Sequence, residues 1–267
     1  MYFLLLFFGF IAGITTVLFG FGGGFVVVPV LYSVLVASYG DTAQGNAAIH
    51  VAVATSTCVM IFGAGLATQR HHKAGTVPWD QVRPLLVYIA FGAIPGAAAA
   101  MVMSGDWVRW IFIFYLGFTI LDSILRPGFT QRAAASIRPW GWRMTAIAGT
   151  AIGAIAAFLG VGGSVMTVPL MRQRGASMTA ATAAANILSL PIAIVGSVTY
   201  ALLAWSTTPL GPWHAGYIDL RACFVLVVGS WLGVRQSSRW IGSIPDHVHA
   251  WTYIGLLCLV LLVMLAI

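Results

Sequence analysis

Residues 20–29 decide the fold of this chain, and they read Gly-Phe-Gly-Gly-Gly-Phe-Val-Val-Val-Pro inside an apolar N-terminal segment. The pattern returns 140 residues later, where residues 160–169 read Gly-Val-Gly-Gly-Ser-Val-Met-Thr-Val-Pro. Two further glycines, four residues apart, precede each copy at the same distance. A duplicated segment of this kind predicts two homologous halves that share one site.

The position of the two copies gives them a physical meaning. Each follows about 17 apolar residues, so each lies at membrane depth, where an unpaired backbone group costs several kcal/mol. Dense glycine disfavours a continuous helix and lets backbone N–H groups approach a ligand. We predict a helix, an unwound turn and a short second helix that begins at Pro29 or Pro169, where the missing N–H is not needed. The exposed amides and the partly positive N-terminus of such a broken helix suit an anion.

The composition indicates a polytopic helical membrane protein in a lipid bilayer, because 60% of the 267 residues are hydrophobic and 7% are charged. The net charge of +7 does not indicate nucleic acid, since the 13 Lys and Arg residues lie almost entirely between apolar runs. Cys58, Cys223 and Cys258 lie singly in apolar segments. They predict reduced thiols, with no metal and no cofactor.

The apolar runs predict nine helical segments and an all-α fold. The segments are 2–19, 29–38, 45–69, 83–103, 107–125, 142–159, 178–204, 219–240 and 247–267. They form a first membrane repeat at 1–126, a linker at 127–141 and a second repeat at 142–267. In each repeat a glycine-broken helix precedes three transmembrane helices, and the first residues are not expected to be a signal peptide.

The positive charges favour inverted repeats. If each glycine segment turns back to the side from which it came, eleven of the 13 cations lie inside and only Arg109 and Arg221 lie outside. If each segment crosses fully, the halves are parallel and the division is eight to five. We therefore expect inverted repeats in the cell inner membrane with a cytoplasmic linker. Full crossing remains the alternative, because a 17-residue helix rises about 25 Å of a core about 30 Å thick.

Polar residues inside the long helices after each break extend the predicted site. Thr55 and Ser56 in the first half, and Asn186 in the second, lie on the order of 15 Å into their segments. Thr55 and Asn186 occupy comparable places in the repeats. The alternative is structural, with hydroxyls bonded to their own helix and Asn186 bonded across helices. The predicted anion site consists of Gly22, Gly23, Gly24, Thr55, Ser56, Gly162, Gly163, Ser164 and Asn186.

His50 is the ionisable side chain that we place within a span, and it is a candidate for proton coupling. An ordinary interfacial histidine is the alternative, and the other histidines are expected in solvated loops or at span ends. The sequence predicts no Lys or Arg at membrane depth. Several weak donors release an anion more readily than one buried cation. The glycine pairs at 9 and 13 and at 149 and 153 are expected to serve helix packing.

The two glycine motifs, the stretch 54–56 and the Gly-Thr-Val turn at 75–77 resemble the sulfite exporter TauE/SafE family, also described as the 4-toluene sulfonate uptake permeases. The resemblance covers essentially the whole chain. It implies a bacterial inner-membrane carrier of sulfite, sulfonates or sulfoacetate, often an exporter. The chain departs from the family pattern at Asn186, which stands where a Thr-Ser pair is expected.

The predicted function is therefore secondary transport of a small sulfur-containing anion by alternating access, with no enzymatic activity. A channel-like anion pathway and a carrier of organic carboxylates are the alternatives. An intramembrane enzyme needs a nucleophile and base pair or a metal cluster, and the sequence indicates neither. A scaffold subunit does not need two unwound segments, and a homodimer is left open.

Overall fold

The structure is a computed structural model that describes residues 2–40, 42–125, 129, 141–204, 210 and 213–266, with the backbone alone at 43 and 44. The first half contains α1 (Tyr2–Phe19), α2 (Gly24–Tyr39), α3 (Ala43–Asn46), α4 (Ala48–Lys73), α5 (Trp79–Val102) and α6 (Gly105–Leu125). The second half contains α7 (Trp142–Leu159), α8 (Ser164–Gln173), α9 (Met178–Ala204), α10 (Leu220–Ser237) and α11 (Asp246–Ala266). A short hairpin of β1 (His214–Ala215) and β2 (Ile218–Asp219) precedes α10.

Seven of the described helices are long and apolar enough to cross a membrane, namely α1, α4, α5, α6, α7, α9 and α11. The predicted all-α polytopic membrane fold is therefore confirmed. The predicted segments 2–19, 142–159 and 178–204 coincide with α1, α7 and α9. In both halves three long helices follow the glycine break, as expected. The predicted linker at 127–141 lies outside the described residues, apart from Phe129 and Gly141.

The prolines do not begin the second helix of each break, as we predicted. The helices α2 and α8 begin at Gly24 and Ser164, so Pro29 and Pro169 both lie in the second turn. The glycine cluster itself ends the unwound turn, because Gly23 adopts a φ of 89° directly before α2. Each break is therefore four residues long.

The helix α4 defines the two ends of the bundle, which we call the Ala48 end and the Lys73 end. Leu5 near the start of α1, Leu35 near the end of α2 and Ala48 share one buried cluster. The pair α1 and α2 therefore enters from the Ala48 end and returns to it. The pair α7 and α8 comes from the other direction, because Gly160 after α7 packs on Val53 near the Ala48 end. The two hairpins thus meet from opposite ends.

Each broken helix packs along a helix of the opposite half. A Cβ at Gly13 in α1 would lie 2.2 Å from the carbonyl oxygen of Ser230 in α10. A Cβ at Gly153 in α7 would lie 2.1 Å from the carbonyl oxygen of Ile89 in α5. These small residues let two backbones touch. The predicted packing role of the upstream glycine pairs is confirmed.

Candidate functional site

The two glycine breaks touch each other in the middle of the bundle. A Cβ at Gly22 would lie 3.4 Å from the Cα atom of Gly162, and a Cβ at Gly24 would lie 2.4 Å from the carbonyl oxygen of Gly160. The hydroxyl of Ser56 donates to that same oxygen at 2.7 Å. Glycine is required here because the backbones leave no room for a side chain.

The helices α4 and α9 flank the breaks in equivalent ways. Met60 lies against the first break and Ser189 against the second, and these two residues are 129 positions apart. This spacing pairs Asn186 with Thr57, so the predicted correspondence between Asn186 and Thr55 is wrong. The reason is that Met60 follows Gly22 by 38 residues whereas Ser189 follows Gly162 by 27, because α2 is longer than α8 and α3 lies between α2 and α4.

Backbone N–H groups at both breaks have no hydrogen-bond acceptor among the described residues. They belong to Gly22, Gly23, Gly24, Gly162, Gly163 and Ser164. The first N–H groups of any helix lack intrahelical partners, and they carry the positive end of the helix dipole. All six of these residues are buried. Buried N–H groups without acceptors are rare in folded proteins, so a cluster of them indicates a place for an acceptor.

Buried side chains near the second break also have unused polar atoms. The Ser164 and Thr167 hydroxyls make no hydrogen bond within the described part of the chain, and the same is true of the Asn186 amide oxygen at the first break. The three residues have no exposed surface. A hydroxyl can donate to an anion oxygen, so Ser164 and Thr167 add two donors to the backbone groups of α8.

The structure brings together most of the predicted site, but it separates Thr55 from the rest. Thr55 accepts a hydrogen bond of 2.9 Å from the backbone N–H of Asp219, beside the β-hairpin. Asn186 lies at the first break, where its amide donates to the carbonyl oxygen of Thr16 at 2.9 Å. Ser56 and Asn186 therefore hold the breaks in place, and both bond across helices rather than within their own.

His50 also lies away from the breaks. Its Nε2 is 3.0 Å from the carbonyl oxygen of Met103, and its ring stacks on Tyr217 at 5.4 Å. It precedes Ser56 by six residues, about 9 Å along the helix. These contacts fit the alternative to proton coupling, in which His50 is an ordinary histidine at the membrane interface.

Two histidines that we expected in solvated positions are buried at the first break. The Nε2 of His71 lies 2.8 Å from the carbonyl oxygen of Val17, and the Nε2 of His249 lies 2.5 Å from that of Leu18. A carbonyl can only accept, so both Nε2 atoms carry a proton. These side chains cap the C-terminus of α1. No sequence signal identified them, because the contacts join residues 54 and 231 positions apart.

The structure also contains an arginine that is buried within the protein at the Lys73 end of the bundle. Arg172 at the end of α8 is 1% exposed and forms an ion pair of 2.7 Å with Asp246 at the start of α11. Its guanidinium donates to the carbonyl oxygens of Phe129 and Ala176 as well. The cation is thus neutralised and fully bonded at the Lys73 end, and it does not face the breaks.

A crevice opens beside each break. The crevice beside the first break, about 140 Å³ in volume, lies between α1, α2 and α11 and is lined by apolar groups such as Phe25 and Pro29. The crevice beside the second break, about 230 Å³, lies between α6, α7 and α8, and Tyr115, Asp122 and Gln173 contribute polar groups to it. Within the described residues, no group of three or more His, Cys, Asp or Glu side chains could hold a metal ion.

These features define a multi-pass membrane protein built around two facing helix breaks. The chain belongs to the sulfite exporter TauE/SafE family, whose model matches residues 5–264. It is 25% identical over 241 residues to a probable membrane transporter protein of Haemophilus influenzae, a match that covers 89% of this chain and 88% of that protein.

Other relatives carry similar names. The chain is 23% identical over 251 residues to a probable membrane transporter protein of Methanocaldococcus jannaschii, covering 92% of this chain and 89% of the relative. It is 27% identical over 241 residues to the probable membrane transporter protein MamO of Paramagnetospirillum magneticum, of which the match spans 37%. The family and its relatives are named as membrane transporters and not as enzymes.

Proposed function

We propose that this protein is a secondary transporter of small sulfur-containing anions, such as sulfite or a short sulfonate, and that the two glycine breaks bind the anion. The observation that carries the proposal is the set of buried N–H groups without acceptors where α2 and α8 begin. The name of the family supports sulfite as one substrate.

The geometry suits an oxyanion with several equivalent oxygens. Two helix N-termini face one another across Gly22 and Gly162, and each contributes about 0.3 to 2 kcal/mol toward a negative charge. The Ser164 hydroxyl, buried and without a partner, adds a directed donor. Sulfite and sulfonates carry three oxygens on one sulfur, so donors from two sides can bind one head group.

The same donors suit release of the anion. A transporter needs binding that is favourable and reversible, and a fixed cation without its anion is costly inside a membrane. Arg172, the buried cation nearest to this region, is already paired with Asp246. The charge of the anion is therefore met by dipoles, which remain neutral when the site is empty.

The packing supports inverted repeats and alternating access. The two hairpins come from opposite ends of the bundle, and α4 and α9 run antiparallel, since Thr57 contacts Gly196 while Met60 contacts the break beside Ser189. Among the described cations, Arg109 and Arg221 belong to the Ala48 end. The Lys73 end carries Arg70, Lys73, Arg83, Arg143, Arg172, Arg174, Arg235 and Arg239. By the positive-inside rule the Lys73 end faces the cytoplasm of an inner membrane.

A thermal-shift titration of the purified protein tests the proposal. Sulfite, sulfate, thiosulfate and ethanesulfonate are compared with acetate and propionate, because a ligand that binds only the folded state raises its stability with concentration. We expect saturable stabilisation by sulfite and ethanesulfonate and not by the carboxylates. If no sulfur anion stabilises the protein, the proposal is overturned.

Ser164→Ala locates the binding in the breaks. Because the Ser164 hydroxyl has no partner, its removal is expected to leave the unliganded melting temperature unchanged and to weaken anion binding about tenfold or more. The matched control is Ser33→Ala in α2, whose hydroxyl donates to the carbonyl oxygen of Pro29. Equal anion affinity in both variants would contradict this location, and saturable flux in proteoliposomes separates a carrier from a channel.

A further inference from the structure

One side chain fills the meeting point of the two breaks. Met60 of α4 is fully buried, and its Sδ atom would lie 2.7 Å from a Cβ at Gly22 and 3.2 Å from a Cβ at Gly162. A single thioether therefore touches both breaks, beside the N-termini of α2 and α8.

The two halves differ at this position. The equivalent residue on α9 is Ser189, whose hydroxyl would lie 2.6 Å from a Cβ at Gly162. That hydroxyl donates to the carbonyl oxygen of Ala185 in its own helix. The second half thus presents a short side chain that is held in place. The first half presents a long side chain with no hydrogen bond to hold it.

A thioether side chain is suited to fill a binding site and to leave it when a ligand binds. Sulfur in methionine is a weak acceptor, and the side chain has three rotatable bonds and adapts to irregular spaces. Such a side chain can keep water from a buried site without binding donors as strongly as an oxygen would. Displacing it therefore costs less than displacing a bonded hydroxyl or a carboxylate.

We propose that Met60 occupies the anion site when no anion is bound and that it limits the size of the anion. This inference rests on the proposed function. Bound anion and the Met60 side chain exclude one another, so binding requires Met60 to change rotamer. The space that it vacates sets how large an organic group may accompany the sulfonate head.

The test compares Met60→Ala with Met60→Leu in proteoliposomes that contain the purified protein. Competition for sulfite uptake by methanesulfonate, ethanesulfonate and benzenesulfonate gives relative affinities. Since one methylene in an apolar pocket is worth about 10-fold to 200-fold in discrimination, Met60→Ala should improve benzenesulfonate relative to sulfite by at least tenfold. Met60→Leu keeps the volume but is branched and stiffer, and it should slow uptake of every anion.

Met264→Ala is the matched control, because Met264 is equally buried but lies near the end of α11. It should keep the wild-type order of anions. A wild-type order in Met60→Ala, together with wild-type uptake in Met60→Leu, overturns the role of Met60 while sulfite uptake by the wild type still supports the proposed function. Absence of sulfite uptake by the wild type overturns the proposed function itself, and this inference with it.

Discussion

The first break, between α1 and α2, and the second, between α7 and α8, are both held by side chains of α4, α9 and α11, but the donor groups differ. At the second break the donors are the hydroxyls of Ser56, Tyr200 and Tyr253. The last carbonyls of α1 accept hydrogen bonds from Asn186, His71 and His249. At the end of α7, Gly160 in a left-handed conformation lets backbone N–H groups close the helix. Two copies of one sequence motif thus reach one shape by different means.

The surroundings of the two breaks differ in polarity as well. The second break has unused hydroxyls at Ser164 and Thr167 and a crevice with polar groups, while the first has Gly24 and a crevice lined by apolar groups. The second break therefore supplies more of the donors for an anion. Side chains of α4, α9 and α11 bond to both breaks, so movements of these helices reach either break directly.

Exchanging the residues that begin α2 and α8 is the most severe test of this difference between the two breaks. Gly24→Ser should abolish folded protein, because its Cβ would lie 2.4 Å from the carbonyl oxygen of Gly160. Ser164→Gly should change the free energy of unfolding by only about 1 kcal/mol. Size-exclusion profiles in detergent and melting temperatures measure both. A well-folded Gly24→Ser variant would show that the breaks are not in contact.

Alanine at the paired positions of the two breaks compares their backbones. A Cβ at Gly22 would lie 2.7 Å from the flexible Met60, and a Cβ at Gly162 would lie 2.6 Å from the Ser189 hydroxyl, so both side chains must shift, but only Gly22 of the two has a positive φ, of +66°. The left-handed conformation costs a residue with a Cβ about 1 to 2 kcal/mol, so Gly22→Ala should be the less stable variant by that amount. Denaturant unfolding in micelles measures the difference. Equal stability of the two variants would contradict a strained first break.

Removal of a side-chain cap should weaken the first break. His249→Ala leaves the carbonyl oxygen of Leu18 with one long hydrogen bond, of 3.4 Å, from Thr182. We expect a loss of about 1 to 3 kcal/mol of unfolding free energy, as for other buried groups left without a good partner. His72→Ala, at an exposed position one residue after His71, serves as the control. A loss no larger than in the control would show that the cap is dispensable.

The corresponding change at the second break should have the smallest effect. The hydroxyl of Tyr200 donates to the carbonyl oxygen of Ala157 at 2.8 Å, and this oxygen also accepts from the N–H of Gly160 at 3.3 Å. Tyr200→Phe should therefore cost no more than about 1 kcal/mol. If its melting temperature falls as far as that of His249→Ala, the proposed contrast between the breaks is wrong.

The sequence predicted what depends on local pattern and composition. The apolar runs predicted the membrane-spanning helices. The duplicated glycine motifs predicted the two breaks, and the glycine pairs before them predicted the faces on which α1 and α7 pack. The prediction that Pro29 and Pro169 begin helices was wrong because the propensity for proline at a first turn is weak against the φ values that the glycines adopt. A helix tolerates proline in its second turn because of the way neighbouring parts of the protein pack around it.

The caps and the occupant of the site could not be predicted because they depend on long-range packing. Nothing near His249 in the sequence connects it to Leu18, and Met60 looks like any apolar residue of a span. The packing of Cys58 in α4 against the buried cluster that contains Cys223 of α10 has the same cause. Each contact follows from how the two halves are packed together.

The packing of α1 along α10 also means that α1 must wait for its packing partner during synthesis. Gly9 and Gly13 lie against Leu226 and Ser230, which the ribosome adds 217 residues later. At about 5 to 20 residues per second, this delay is roughly 10 to 40 s. During this delay, lipid must cover the face of α1 that carries Gly9 and Gly13. The helix α1 is thus made long before α10, the helix against which it packs.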